Sequence, residues 1–130
     1  IELCMELDPE LPAVNGVPDH LTQVVMNLLI NASDALQERH DPPPRIRVST
    51  SARGENAVLE VADNGIGIEP EALGRVFEEY FTTKAPGKGT GLGLALCRRL
   101  MSDNGGGIAI ASVVGVGTTV TVTLPLIGDK

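Results

Sequence analysis

The strongest constraint on the fold of this chain is residues 21–38, where Leu21, Val24, Val25, Leu28, Leu29, Ala32, Ala35 and Leu36 repeat at the spacing of one face of an α-helix. Asp19, after Pro18, reads as the N-cap. His40-Asp41-Pro42-Pro43-Pro44 stops the helix, because proline lacks the N–H the next turn needs and its ring clashes with the preceding carbonyl. Most of the remaining regular sequence has period two. Residues 1–6 alternate as Ile1, Leu3 and Met5 against Glu2, Cys4 and Glu6, which predicts a half-buried strand, and Pro-Gly punctuation over 11–18 predicts a short second one. Residues 45–53 and 56–62 alternate in the same way and read as a hairpin turning at Gly54. Residues 82–91 are rich in Gly and Thr with no hydrophobic period, the pattern of a long loop kept for function. Leu92, Ala95, Leu96 and Leu100 make another helical stripe, stopped by Asn104-Gly105-Gly106-Gly107. Residues 108–114 and 118–126 close the chain as two strands around Gly115-Val116-Gly117, and no internal repeat is present.

A chain of 130 residues supports one hydrophobic core, so 1–130 reads as a single domain. Only 2% of it is aromatic, which leaves Val, Ile, Leu and Ala to fill that core. The formal charge of −7 opposes wrapping on a polyphosphate backbone and argues against nucleic acid as a partner. Five cations, Arg75, Lys84, Lys88, Arg98 and Arg99, nevertheless gather between positions 75 and 99. Cys4 and Cys97 have neither CxxC nor metal-type spacing and read as isolated thiols of a reducing compartment. No apolar run reaches the length of a membrane span and no signal-peptide pattern opens the chain, so a cytoplasmic domain without membrane insertion of its own is expected. Ile1 is not a natural start, which suggests a piece of a longer protein.

Three stretches carry candidate chemistry. On the first helix Gln23, Asn27, Asn31, Asp34 and Glu38 share one stripe. Asparagine is a mediocre helix former, so two in mid-helix are either part of an ordinary wet face or a surface turned to a ligand. Amide oxygens are neutral hard donors, suited to a Mg²⁺ that takes its other ligands from water and phosphates. Next, Asp63-Asn64-Gly65-Ile66-Gly67-Ile68 follows a strand and holds more turn residues than a turn needs. Finally, Gly87-Lys88-Gly89-Thr90-Gly91-Leu92-Gly93 precedes a helix, where free N–H groups and the helix dipole favour an anion. It is not a Walker A loop, since Thr82 stands where the first glycine belongs and Gly89 follows Lys88. GxGxxG also fails, with Leu92 or Leu94 at the third glycine. Glycine used only for loop flexibility remains the alternative there.

Four segments stand in a fixed order: Asn27-Leu28-Leu29-Ile30-Asn31-Ala32-Ser33-Asp34-Ala35, Asp63 to Ile68 as above, Val76-Phe77-Glu78-Glu79-Tyr80-Phe81-Thr82-Thr83-Lys84, and Gly89-Thr90-Gly91-Leu92-Gly93-Leu94. This order resembles the catalytic ATP-binding domain of two-component sensor histidine kinases, in the GHKL superfamily shared with DNA gyrase, MutL and the heat-shock chaperone ATPases. The likeness runs through the whole chain to Gly115-Val116-Gly117-Thr118-Thr119. It implies an α+β fold of the Bergerat type, a two-layer sandwich in which a mixed, mostly antiparallel sheet of about five strands packs on about three helices.

The resemblance also implies ATP and Mg²⁺ as cofactors. Asp63 would accept a hydrogen bond from the exocyclic amine of adenine, with a water and Thr118 completing the contact. Gly65 and Gly67 would let the backbone approach the base, and Ala32 and Ile68 would line its pocket. A carboxylate accepts from an amine, whereas guanine presents a carbonyl oxygen there, so adenine is expected over guanine. Asn31 would be the principal Mg²⁺ ligand, with Asn27 beside it. The loop around 82–91 would be the ATP lid, with the amides of Gly89, Thr90, Gly91, Leu92 and Gly93 on phosphate oxygens and Lys84 on the γ-phosphate; Lys88 has less claim to such a contact. Phe77, Tyr80 and Phe81 would fill the core, pin one end of the lid or dock on a partner helix. Two departures stand out: Asp34 occupies a position where many sensor kinases carry Lys or Arg, and Glu79-Tyr80 replaces Pro-Phe.

The activity implied is kinase chemistry completed elsewhere. His40 runs straight into three prolines and His20 opens a helix, so the acceptor histidine would lie on a dimerisation and phosphoacceptor domain outside this chain. A response regulator would follow, and the parent would be a homodimer while the isolated domain is a monomer. Asn27 stands where the ATPase branch places a water-activating glutamate, and an amide is no general base, so slow hydrolysis is expected. The competing readings are a nucleotide-gated ATPase module of a chaperone- or gyrase-like machine, and a serine kinase of the anti-sigma-factor type.

Overall fold

A computed structural model describes residues 1–11, 13–14, 16–37, 43–78 and 93–127. Among them, strands β1 (Glu2–Glu6), β2 (Arg45–Arg53), β3 (Asn56–Asp63), β4 (Gly107–Val113) and β5 (Gly117–Pro125) form one sheet in the order β1-β2-β3-β5-β4. The β1–β2 pair is parallel and the other three pairs are antiparallel. Helices α1 (Pro18–Ala35) and α3 (Gly93–Asp103) pack side by side, α1 against β3 and α3 against β4 and β5, and the short α2 (Pro70–Leu73) touches β4. This is the mixed-sheet α+β sandwich expected from the sequence.

The alternation in β5 explains the two layers. Thr118, Val120, Val122 and Leu124 are buried, and the residues between them face away. In register across three strands lie the apolar rows Val61–Val120–Ile110 and Leu59–Val122–Ile108. They pack under Val24, Leu28 and Ala32 of α1 and Cys97, Leu100 and Met101 of α3. Burying each such Val, Leu or Ile contributes about 1.5–3 kcal/mol, which is what holds the helices on this face. The opposite face carries Arg47, Ser49, Glu60, Thr119 and Thr121, the polar side of an antiparallel sheet covered once.

Several sequence expectations need correction. Asp19 is not the N-cap of α1: Pro18 takes the first helical turn, where its missing N–H costs nothing, and Asp19 lies inside that turn as an acid beside the helix dipole. The strand expected over 11–18 is a single bridge, Val14 to Leu126. Strand β1 is not half-buried on its apolar side. Leu3 and Met5 stand in register with buried Ile46 and Val48, yet are 56% and 58% exposed. Alternation decides which face a residue takes, whereas cover depends on where the helices run, and α1 runs over β3 rather than over the β1 edge. The stop after α3 is as read: Gly106 N–H donates to the Met101 carbonyl and Gly105 N–H to that of Ser102, the paired bonds of a Schellman end. Among the described residues no helix is long and apolar enough to cross a membrane.

Candidate functional site

Asp63 is the last residue of β3, at the end of the sheet where the apolar rows stop. Its carboxylate accepts the Gly65 N–H at 2.9 Å and the Thr118 N–H from β5. Burial pushes its pKa up from the ordinary value, and these two backbone bonds pull against that shift. Asn64 serves the fold instead: its Oδ1 accepts the Arg45 N–H at 2.8 Å and its Nδ2 donates to the Pro43 carbonyl at 2.9 Å, tying the end of β3 to the start of β2. The two neighbours thus differ: Asp63 is part-buried at the sheet end with backbone donors behind it, and Asn64 holds the frame.

The glycines that follow are required by the protein itself. A Cβ on Gly65 would come within 2.6 Å of the Ala35 carbonyl oxygen, so glycine lets this loop lie against the C-terminal end of α1. Gly67 has φ +79°, and a Cβ there would run into the Val113 carbonyl. The loop is further fixed by Ile68 N–H donating to Ser112 Oγ at 2.8 Å and Gly115 N–H donating to the Ile66 carbonyl at 2.8 Å. Thr118, 9% exposed, has its Oγ1 2.8 Å from Ser112 Oγ. Asp63, Gly65, Gly67, Ile68 and Thr118 therefore form one connected group at one end of the sheet.

Asn27, Asn31 and Ala35 occupy successive turns of α1, so this line of side chains leads toward the loop that Gly65 brings against Ala35. Asn27 and Asn31 are half-buried. The Asn27 side chain hydrogen-bonds Cys97 of α3, whose thiol in turn donates to the Val24 carbonyl at 3.9 Å. With its proton on Val24, the sulfur accepts from the Asn27 NH2, which leaves the Asn27 oxygen as the group available to a ligand. Burial raises the Cys97 pKa, and the Asn27 bond opposes that shift. Cys97 is thus a fully buried support for Asn27 rather than an isolated thiol. Ala32 is buried in the core one turn from Leu28. Gly93 is the first described residue of α3, and a Cβ built on it meets no atom of the described residues within 4 Å.

Lys84, Gly89, Thr90, Gly91 and Leu92 lie outside the described residues, as do Lys88, Tyr80, Phe81 and His40. Phe77 is described: the Arg98 guanidinium of α3 stands 5.7 Å from its ring centre, fastening the turn after α2 to α3. His20 is occupied, its Nδ1 3.0 Å from Asn104 Nδ2. The sequence reading missed two residues, Ser112 and Cys97. Ser112 had a signal, since it follows Ile108 and Ile110 at the inward positions of an alternating strand. Cys97 falls in the buried stripe of α3, where its type alone says core.

The sequence matches the family described as "Histidine kinase-, DNA gyrase B-, and HSP90-like ATPase" over residues 16–128. Among curated relatives, the two-component sensor PprA of Pseudomonas aeruginosa is 47% identical over 102 residues, 76% of this chain and 11% of PprA. The sensor histidine kinase ZraS of Escherichia coli strain K12 is 40% identical over 112 residues, 86% of this chain and 23% of ZraS. The chain thus spans a small part of the length of these relatives. Among solved structures, the catalytic domain of histidine kinase ThkA superposes with a TM-score of 0.81 at 29% identity, covering 96% of this chain and 78% of that one. Full-length ShkA in complex with AMPPNP gives 0.81 at 26% identity, covering 98% of this chain and 26% of that one. By the extent of the family match, together with the fold it shares with these catalytic domains, the chain belongs to the histidine kinase-, DNA gyrase B- and HSP90-like ATPases.

Proposed function

We propose that this chain binds Mg-ATP and holds the γ-phosphate for transfer to a histidine on a separate dimerisation and phosphoacceptor domain of a homodimeric sensor kinase, with a response regulator downstream. The observation that carries the reading is Asp63, a partly buried carboxylate fixed by two backbone N–H groups at the end of β3. Such an acceptor selects a purine that offers an amine. The binding of AMPPNP, an adenine nucleotide, by the structural neighbour ShkA supports the same choice.

On this reading Asp63 accepts from the adenine amine, with Thr118 and a water beside it, and Ile68 and Ala32 lie near the base. Among the described residues no group of three or more His, Cys, Asp or Glu is gathered to hold a cation, and this reading assigns the ion to the amide side chains of Asn31 and Asn27. That set fits magnesium carried by phosphates, and the Cys97 bond leaves the Asn27 oxygen free for it. When bound, the ion would neutralise triphosphate charge and polarise the γ-phosphoryl group. Among the described residues nothing lies within 4 Å of a Cβ built on Gly93 at the start of α3, which is compatible with close approach of a phosphate there. Lys84 and the amides of residues 89–92 would complete the phosphate contacts. Asn27 cannot deprotonate water, so the isolated chain binds nucleotide and hydrolyses it slowly.

Incubating the chain with the phosphoacceptor domain of its parent and γ-labelled ATP tests this directly. Acid-labile, base-stable label on that domain is the expected result. Rapid hydrolysis without it would indicate an ATP-driven machine, and acid-stable label on a partner serine would indicate a serine kinase; either outcome overturns the proposal.

A further inference from the structure

Asp63, Thr118 and Ser112 lie side by side across β3, β5 and β4, because Asp63 pairs with Thr118 and Thr118 pairs with Ser112 in the ladder. They face the same way as the apolar rows beneath them. Ser112 Oγ is 2.8 Å from Ile68 N, 3.0 Å from the Gly117 carbonyl oxygen and 2.8 Å from Thr118 Oγ1. A hydroxyl has one proton and two lone pairs, which fixes the direction of all three bonds if all are to be made. The Ile68 N–H can only donate, so it takes a lone pair. The Gly117 carbonyl can only accept, so it takes the proton. The remaining lone pair then receives the proton of Thr118. Thr118 is left presenting lone pairs, with no proton to offer a ligand.

We propose that Ser112 is a specificity-determining positioning residue: by holding the Thr118 proton it makes the base end of the site a set of acceptors, Asp63 and Thr118 together, matched to a 6-amino purine and opposed to a 6-oxo one. This rests on the nucleotide reading above. Asp63 alone already disfavours a 6-oxo group. The addition is that Thr118, a hydroxyl able to serve either donor or acceptor, is denied the donor role by a residue that itself touches no ligand. With Ser112 gone, Thr118 can turn its proton toward a 6-oxo oxygen, and discrimination weakens.

The test is calorimetric titration of the intact chain with ADP and with IDP in the presence of magnesium. The parent chain should prefer ADP. Ser112→Ala should narrow that preference by about fivefold to tenfold, the worth of one hydrogen bond, mainly by tightening IDP. Ser112→Thr, which keeps the hydroxyl, should retain the parent's preference. Ser112→Cys fills nearly the same space with a weak acceptor and should narrow it as Ser112→Ala does, which supplies a second variant should the alanine chain fail to fold. In a Thr118→Val background the Ser112→Ala effect should vanish, because it acts through the Thr118 hydroxyl; a merely structural role would weaken ADP and IDP alike in both backgrounds. An unchanged ADP-to-IDP ratio in folded Ser112→Ala and Ser112→Cys overturns the role of Ser112 while leaving base recognition by Asp63 intact. A parent chain that binds both nucleotides equally overturns the base reading, and this inference with it.

Discussion

Replacing Asp63 with Asn separates what this side chain costs the fold from what it does for a ligand. Burial raises its pKa above the ordinary 3.8, against the N–H bonds from Gly65 and Thr118. The folded chain therefore binds this proton more tightly than the unfolded chain does. Its contribution is stabilising below about pH 3.8 and is lost as pH rises through the folded value, so at neutral pH the ionised carboxylate is a cost. Asparagine removes the charge and keeps one oxygen for the backbone donors, at the cost of at most one of the two bonds from Gly65 and Thr118. That loss is worth about 1 kcal/mol and opposes the relief of desolvation, so stability at pH 7 should stay within about 1 kcal/mol of the parent's. In urea melts from about pH 4 to pH 7, the part of the parent's stability that declines through the Asp63 titration should be missing in the variant. Binding behaves differently. A hydrogen bond to a charged acceptor is worth about 1.5–3 kcal/mol, so Mg-ADP affinity should fall by about 10- to 150-fold, toward the upper end if the new NH2 faces the adenine amine. A variant with the parent's pH slope, or with ADP affinity within about twofold of the parent's, would refute this account of Asp63.

Substitutions at four further positions probe the fold and the supports of the site. Cys97→Ala removes the acceptor that turns the Asn27 NH2 toward α3, so nucleotide affinity measured with magnesium should drop about fivefold while affinity without it changes little, and Cys97→Ser should restore most of the loss. Asn104 joins the two ends of the helix pair, accepting the Val17 N–H at 2.7 Å and donating to the Leu100 carbonyl at 2.6 Å and to His20 Nδ1 at 3.0 Å. Asn104→Ala should cost about 2 kcal/mol, lowering the calorimetric Tm by about 8 °C. Gly67→Ala meets the Val113 carbonyl at positive φ and should destabilise by roughly 2–4 kcal/mol in chemical denaturation. Gly93→Ala meets nothing among the described residues, so it should leave stability unchanged or slightly raised while weakening nucleotide binding several-fold in the same titration.

The elements legible in the sequence were those whose pattern is local. The α1 stripe, the hairpin through Gly54 and the β4–β5 pair declare themselves by period, and the Asn104-Gly105 stop by the left-handed residue a helix end needs. Cover is not local. Leu3 and Met5 have the same alternation as Ile46 and Val48, and only the path of α1 over the sheet decides that one pair is buried and the other is not. The site divides in the same way. Asp63 and the glycines after it were readable because a strand end rarely needs so many turn residues. The partners that orient the site were not, because Ser112 lies 44 positions from Ile68 and Cys97 lies 70 from Asn27, and each is an ordinary residue until the fold brings it alongside. The reason for glycine also changed: at 65 and 67 the colliding atoms are the carbonyls of Ala35 and Val113, so the protein needs the missing Cβ before any ligand does.

These partnerships share one physical logic. Three groups proposed to meet the nucleotide are each held by a residue of a neighbouring element: Asp63 by the Gly65 and Thr118 amides, Thr118 by Ser112, and Asn27 by Cys97. Ser112 sits where the apolar rows of the sheet run out and Cys97 lies within the α1–α3 interface, so the packing that stabilises the core also fixes these polar side chains. Fixing a rotamer-rich side chain at the moment of binding costs about 0.5–1.5 kcal/mol, and here that ordering is complete once the chain has folded. It also dictates sign, because a carboxylate with two donors behind it and a hydroxyl with its proton engaged can only accept. A preorganised set of acceptors raises affinity for the one base edge that offers an amine, and disfavours the alternative by leaving like groups face to face. The proposed discrimination would therefore be built by the sheet register that sets Asp63, Thr118 and Ser112 in one row, and a one-residue slip of β5 against β3 would turn Thr118 to the solvated face and dismantle it.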